Sequence, residues 1–214
     1  GLDGVQPVPA TVQLNILQVN DLPVVTGETM ASDEDVVLSI DPALLLANDS
    51  DVDTDAALNQ AAGARQTLTI SAVSGAQHGT VALLPDGTVQ FTPELNYVGA
   101  ASFNYTVDDG AGGQVQTTAV LNLAPVNDAP DVAGETININ EDEIQTISTA
   151  ALLANDSDVD NPHTDLKIVA VDSLGAATHG TVTLNANGTI SYVPDANYFG
   201  PAQFTYTVSD GAGG

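Results

Sequence analysis

Apolar and polar residues alternate along most of the chain. Stretches such as "TLTISAV" (Thr67–Val73), "GTVALL" (Gly79–Leu84) and "SFNYTV" (Ser102–Val107) repeat with period two, between clusters of Gly, Pro, Asn and Asp. Successive side chains of a strand point to opposite faces, so this pattern predicts half-buried β-strands. In the first half, strands are predicted near residues 22–30, 35–40, 67–73, 79–84, 88–92, 101–107 and 114–123. "PDGT" (Pro85–Thr88) and "ANGT" (Ala186–Thr189) read as tight hairpin turns on Asp-Gly and Asn-Gly. One stretch, "DPALLLAND" (Asp41–Asp49), predicts a helical turn, with Pro42 suited to a first helical position. Seven strands in about a hundred residues fit an antiparallel β-sandwich of immunoglobulin-like type.

The pattern is written twice. "VNDLPVVTGET" (Val19–Thr29) aligns with "VNDAPDVAGET" (Val126–Thr136), and "HGTVALLPDGTVQFTP" from His78 aligns with "HGTVTLNANGTISYVP" from His179. "NYVGAASFNYTVDDGAGG" aligns with "NYFGPAQFTYTVSDGAGG". Between these blocks the first copy has a longer loop, "TDAALNQAAGARQ". Repetition of this length predicts a tandem array. Residues 20–126 read as one sandwich, and residues 127–214 as a second that stops before its final strand. Residues 1–19 end in "VQLNILQ", like the tail of the first copy, and read as the last strand of an upstream unit. Val12, Leu14 and Ile16 of that strand could complete the second sandwich of a neighbouring molecule by head-to-tail strand exchange. The repeated aromatic pairs Phe91/Tyr192, Tyr97/Tyr198, Phe103/Phe204 and Tyr105/Tyr206 are expected to fill two cores. Tyr97 stands where a tyrosine corner would sit.

Charge narrows the function. The chain has 28 acidic and two basic residues, Arg65 and Lys167, for a formal charge of -26. Nucleic acid is excluded as a partner, since phosphates require Lys and Arg to replace their counterions, and an anionic membrane surface is disfavoured on the same grounds. Hydrophobic residues make up 43% of the chain, enough for cores despite the charge. There is no apolar run of membrane-spanning length, the N-terminus does not read as a signal peptide, and there is no cysteine for disulfides or thiolate metal sites.

The acids have an order. "ANDSDVD" occurs at Ala47–Asp53 and again at Ala154–Asp160, placing Asp49, Asp51 and Asp53, and then Asp156, Asp158 and Asp160, at alternate positions. Antiparallel strands reverse direction at each step. Counting reversals puts Glu34-Asp35, with Glu94 and Asn96 near, at the bottom of the first sandwich. It puts Asp156, Asp158, Asp160 and Asp210 at the top of the second, and the linker adds Asn127 and Asp128. The repeat extends the candidate set to Asn20, Asp21 and Asp109 in the first copy and to Glu141 and Asp142 in the second. Two bare carboxylates about 4 Å apart repel by roughly 1–4 kcal/mol, and no Lys or Arg is placed to relieve them. A divalent ion that prefers oxygen is the natural counter-charge. Ca²⁺ accepts 6–8 oxygens in flexible geometry, Mg²⁺ demands a strict octahedron, and Zn²⁺ would want His or Cys. The D-x-D-x-D order resembles the start of an EF-hand loop but lacks its Gly and terminal Glu.

"LLANDSDVD", "HGTV…DGT…TP", "NYVGAASFNYTVDDGAGG" and the linker "VNDAP" resemble the cadherin-like tandem extender repeats of large bacterial RTX adhesins secreted by type I systems. The resemblance covers nearly the whole chain. It implies tandem seven-stranded, immunoglobulin/cadherin-like Greek-key sandwiches set end to end. It also implies an extracellular location at the bacterial cell surface, Ca²⁺ at the joints, and a spacer role in adhesion and biofilm formation. By likeness to the linker of animal cadherins, Glu34, Asn127, Asp128, Asp156, Asp158 and Asp210 are candidate ligands. The RTX nonapeptide itself is absent, and "DGAGG" reads as a turn only. Carbohydrate binding is the alternative function, set against the absence of Trp. An enzyme is not expected, because no Ser/His/Asp arrangement repeats at a useful place and His78, His163 and His179 read as turn or loop residues.

Overall fold

The computed structural model describes residues 9–14, 16, 19–54 and 66–214. Most of the first copy's longer loop lies outside these residues. The chain divides into two compact units. The first is Gly1–Ser32, Val36–Glu94 and Gly99–Leu123; the second is Asp33–Asp35, Leu95–Val98 and Ala124–Gly214.

The first repeat follows the predicted strand order. β1 is Thr29–Asp33, β2 Leu38–Ile40, β3 Thr69–Gln77, β4 Gly79–Leu83, β5 Val89–Pro93, β6 Gly99–Asp108 and β7 Gln114–Ala124. One sheet has the order β1-β7-β6-β3, and the other has the order β2-β5-β4. Burial along β6 alternates as period two requires: Ala101, Phe103, Tyr105 and Val107 are buried. They meet Val89 and Phe91 of β5 and Leu45 of helix α1 (Pro42–Leu45), all fully buried. Phe91 and Phe103 stack with centroids 5.9 Å apart.

The second repeat has β8 (Gln145–Ser148), α2 (Thr149–Leu152), β9 (Lys167–Ser173), β10 (Gly180–Leu184), β11 (Thr189–Pro194) and β12 (Phe204–Ser209). Its sheets have the orders β10-β11-β8 and β12-β9. Its core is Ile147, Leu152, Leu153, Leu166, Ile168, Ile190 and Tyr192, with Phe204 and Tyr206 packed against it.

The structure departs from some of these expectations. The first predicted strand does not run through residues 22–30. Val24 makes an isolated bridge to Ser50, and β1 begins only at Thr29. The chain thus touches one neighbour and then joins β7, where the Val120 N–H donates to the Glu28 carbonyl. In the second repeat Asp131 bridges Ser157 in the same way, but Thr136–Asn140 forms no strand. The hairpin turns fall where Asp-Gly and Asn-Gly predict them, and each holds three residues. Leu84 and Thr88 flank Pro85-Asp86-Gly87, and Gly87, at φ 89°, supplies the left-handed residue. Lastly, the rings are not all core. Tyr97 and Tyr198 are half-buried, Tyr198 stacks on His179 with centroids 3.8 Å apart, and its hydroxyl donates to the Pro201 carbonyl at 2.8 Å. Phe199 is 85% exposed. Val12, Leu14 and Ile16 stand exposed outside any sheet, and residues 1–8, 15, 17 and 18 of that expected strand lie outside the described residues.

Candidate functional site

Six acids lead the buried polar residues: Glu34, Asp51, Asp53, Asp109, Asp156 and Asp210. All six belong to the predicted set. Each is held by backbone donors, and except at Glu34 the same bonds recur in both repeats. After the helical turn, Asp51 Oδ1 accepts from the Asp53 N–H at 2.7 Å, and Asp158 Oδ1 from the Asp160 N–H at 2.9 Å. Asp53 Oδ2 accepts from the Asp21 N–H, and Asp160 Oδ2 from the Asp128 N–H, at 2.8 and 2.7 Å. The acidic loop is thereby tied to the "ND" dipeptide that opens each repeat. The Asn of that dipeptide reaches the loop after the sixth strand, or its counterpart β12. Asn20 Nδ2 donates to Asp109 Oδ2 at 2.9 Å, and Asn127 Nδ2 to Asp210 Oδ2 at 2.5 Å.

"DGAGG" is more than a turn. Asp109 Oδ1 accepts from the N–H groups of Ala111 and Gly113, and Asp210 Oδ1 from those of Ala212, Gly213 and Gly214. A Cβ on Gly113 would lie 2.1 Å from Asp109 Oδ2, so glycine is needed for the backbone to close around the carboxylate. Burial pushes the Asp109 carboxyl up, but the Asn20 amide and these N–H groups outweigh it and hold it below its ordinary range. For Asp210 the Asn127 amide is the largest influence, and with the N–H groups it brings the carboxyl down to about 2 against burial. Both are firmly ionised at neutral pH.

Within the second unit a further set of oxygens gathers around the dipeptide. Glu34 is 1% exposed; its Oε1 accepts from the Val126 N–H at 3.0 Å, and its Oε2 is buried with no hydrogen-bond partner. Asp35 adopts the left-handed conformation, φ 56°, and its Oδ1 accepts from the Asn96 N–H at 2.9 Å. The Asn96 amide, nitrogen inward, donates to Asp35 Oδ2 at 3.1 Å and Asp128 Oδ2 at 3.2 Å. Rotation by half a turn would present its oxygen instead. Asp158 Oδ1 accepts from Asp160 and Asn161, whereas its Oδ2 is buried without a partner. The Asp128 carboxyl is pushed up, first by burial and then by the charges of Asp35, Asp160, Glu34 and Asp158. Four carboxylates from two other parts of the sequence therefore bear on Asp128.

The family model for the cadherin-like domain matches residues 19–124 and again 126–214. The chain belongs to the cadherin-like domain family. No curated protein matches it. Among solved structures it is similar to protocadherin gammaB7 EC3-6, a cis-dimer, at 14% identity and TM-score 0.36, covering 82% of this chain and 40% of that one. It is also similar to an endo-fucoidan hydrolase of glycoside hydrolase family 107, at 16% identity and TM-score 0.32, covering 90% of this chain and 27% of that one. A chimeric titin Z1Z2 matches at 11% identity and TM-score 0.25, with 85% of each chain covered. The chain spans less than half the length of the protocadherin and hydrolase chains it matches.

Not every predicted residue of the cadherin-like repeats joins these sets. Glu94 faces His78, with Oε2 3.4 Å from Nδ1, rather than the acids near Glu34. Glu141 is exposed in its turn, and Asp142 repeats the Asp35 geometry, accepting from the Asn197 N–H at 2.8 Å. Asp49 and Asp156 turn away from the D-x-D loop: their Oδ1 atoms accept from the N–H groups of Thr26 and Ala133, each at 2.9 Å. Sequence reasoning missed Glu28, Glu135, Tyr105 and Tyr206 as one apparatus. Their signal was the "GET" shared by both copies, which puts an acid at matching places on an otherwise apolar stretch. Among the described residues no three His, Cys, Asp or Glu side chains are gathered closely enough to hold a metal ion as they stand. None of the described helices is long and apolar enough to cross a membrane.

Proposed function

We propose that the chain is a calcium-rigidified extender segment of a bacterial surface adhesin, of the RTX type exported by type I secretion. In this reading it holds a distal binding region away from the cell in adhesion or biofilm formation. Its partners are neighbouring repeats of the same chain, and it works outside the cell, where calcium is plentiful.

The observation that carries this reading is Glu34, a buried carboxylate with one oxygen bonded to Val126 N–H and the other without a donor. Leaving a buried polar atom unsatisfied costs roughly 1–3 kcal/mol. Asp158 Oδ2 has the same deficit. The donor set is all oxygen and strongly anionic, which suits Ca²⁺ and not Zn²⁺. Glu34, Asp35, Asn127, Asp128, Asp158, Asp160 and Asp210 would hold such ions, with Asn96 able to add its amide oxygen. Calcium would supply the missing positive charge and tie together segments that otherwise repel. The residues themselves do the positioning. The glycine-rich loop fixes Asp210, Asn127 orients it, and the left-handed turn at Asp35 presents its carboxylate.

Small-angle scattering with calcium and with chelator tests the reading. Calcium should lengthen and narrow the distribution of end-to-end distances, and the Glu34→Gln/Asp158→Asn double variant should lose most of that response. Equal distributions in both buffers would contradict it.

A further inference from the structure

We propose that each repeat holds a second divalent-cation site inside its own sandwich, built on Glu28, Asp49 and Tyr105 in the first and on Glu135, Asp156 and Tyr206 in the second. It is separate from the D-x-D loops tied to Asp21 and Asp128, with which spacing had grouped Asp49 and Asp156.

The argument is an excess of acceptors over donors. The Tyr105 hydroxyl has one hydrogen, yet it lies against the Glu28 carboxylate, the Leu45 carbonyl at 3.1 Å and the Thr26 carbonyl at 3.3 Å. Tyr206 repeats this, with Glu135 Oε2 at 2.9 Å and the Ala133 carbonyl at 3.2 Å. Each place also has two buried carboxylate oxygens with no partner: Glu28 Oε1 and Asp49 Oδ2 in the first repeat, Glu135 Oε1 and Asp156 Oδ2 in the second. Asp156 is only 4% exposed, and its other oxygen is already committed to the Ala133 N–H. Its charge bears on the Tyr206 hydroxyl, as that of Asp49 bears on Glu28 and Tyr105.

The phenol hydrogen and the Thr26 or Ala133 N–H, with the Asn48 amide beside Glu28 in the first repeat, therefore serve two carboxylates, a phenol and nearby carbonyls, and two carboxylate oxygens in each place have no donor. Two anions that each bury an unpaired oxygen demand positive charge, and the chain has two basic residues in all. A cation bound by both carboxylates would draw on the phenol and carbonyl oxygens as well. That donor set is hard and oxygen-only, in the range Ca²⁺ accepts. The tyrosine–glutamate bond, the bond to the Thr26 or Ala133 carbonyl and the two unpaired oxygens recur in both repeats.

Native mass spectrometry of the full chain in calcium, together with terbium luminescence excited through tyrosine, tests the proposal. Trp is absent, so tyrosine is the sole efficient sensitiser. Glu28→Gln and Glu135→Gln should each remove one calcium ion, and the pair two, while Asp158→Asn removes an ion and leaves these in place. Tyr105→Phe with Tyr206→Phe should abolish most of the sensitised terbium emission. Circular dichroism reports whether each variant is folded. Should the glutamine variants not fold, the phenylalanine pair carries the test alone. An unchanged calcium count in the folded glutamine pair, or unchanged terbium emission in the phenylalanine pair, would overturn the inference. A count lowered by Asp158→Asn but untouched by the glutamine pair would overturn it and leave the proposed function standing.

Discussion

Glu34 shows how one side chain can carry opposite signs of stability. Its carboxylate is buried, bonded through one oxygen and bare at the other. Without a cation the bare buried oxygen costs stability, whereas Glu34→Gln keeps the Val126 bond and removes a buried charge. In chelator this variant is predicted to be more stable than the parent by about 1 kcal/mol. In saturating calcium the order is predicted to reverse, because the substitution deletes a proposed ligand. Denaturant melts in the two buffers check the crossing. A variant less stable in both, or indifferent in both, would mean that Glu34 is only a structural hydrogen-bond acceptor.

At the scale of elements, the two helical turns make a controlled comparison. Asp41 caps α1, its Oδ1 accepting from the Ala43 N–H at 2.9 Å, with Pro42 just inside the helix. Ser148 stands at the same place before α2 and makes no side-chain cap bond. Asp41→Ala should therefore cost about 1 kcal/mol, and Ser148→Ala should cost close to nothing, by chemical denaturation. Equal losses would show that the cap is not what holds these turns. These elements were legible because their signals are local. Pro after Asp marks a helix start, alternation marks strands, and Asn-Gly or Asp-Gly marks a hairpin. The site acids were legible for another reason: strand reversal counts ends without needing side-chain detail. What stayed hidden depends on distant partners. β1 starts late because its partner is β7, about ninety residues away in sequence. Asp49 and Asp156 were grouped with the D-x-D loop by spacing, yet the N–H groups of Thr26 and Ala133 capture them first. No pattern of letters told Tyr105 and Tyr206, read as core filling, that their hydroxyls would meet Glu28 and Glu135.

For the whole molecule the charge balance fixes a pH response. Burial is the first cause raising the carboxyls of Glu28, Asp49 and Asp128 above their ordinary values. A raised carboxyl favours the folded state when protonated, so its contribution is full below the unfolded value and is lost as pH rises through the folded one. Asp109 and Asp210 are shifted down, so their stabilisation is present above the ordinary value of 3.8 and disappears as pH falls through the folded value, about 2 for Asp210. In chelator the melting temperature is predicted to rise as neutral solution is mildly acidified, then to fall below about pH 4. In calcium the mild-acid rise should invert, since protons compete with the ion for the same oxygens.

Melting temperature against free calcium at neutral pH, for the parent chain and for Asp158→Asn, addresses the central claim most directly. An ion that binds only the folded chain must stabilise it by mass action, about 2.7 kcal/mol when its concentration is a hundredfold above Kd. The account predicts a melting temperature that climbs with the logarithm of free calcium in the parent and climbs less steeply in the variant. A parent chain that melts at one temperature from chelator through millimolar calcium would contradict it.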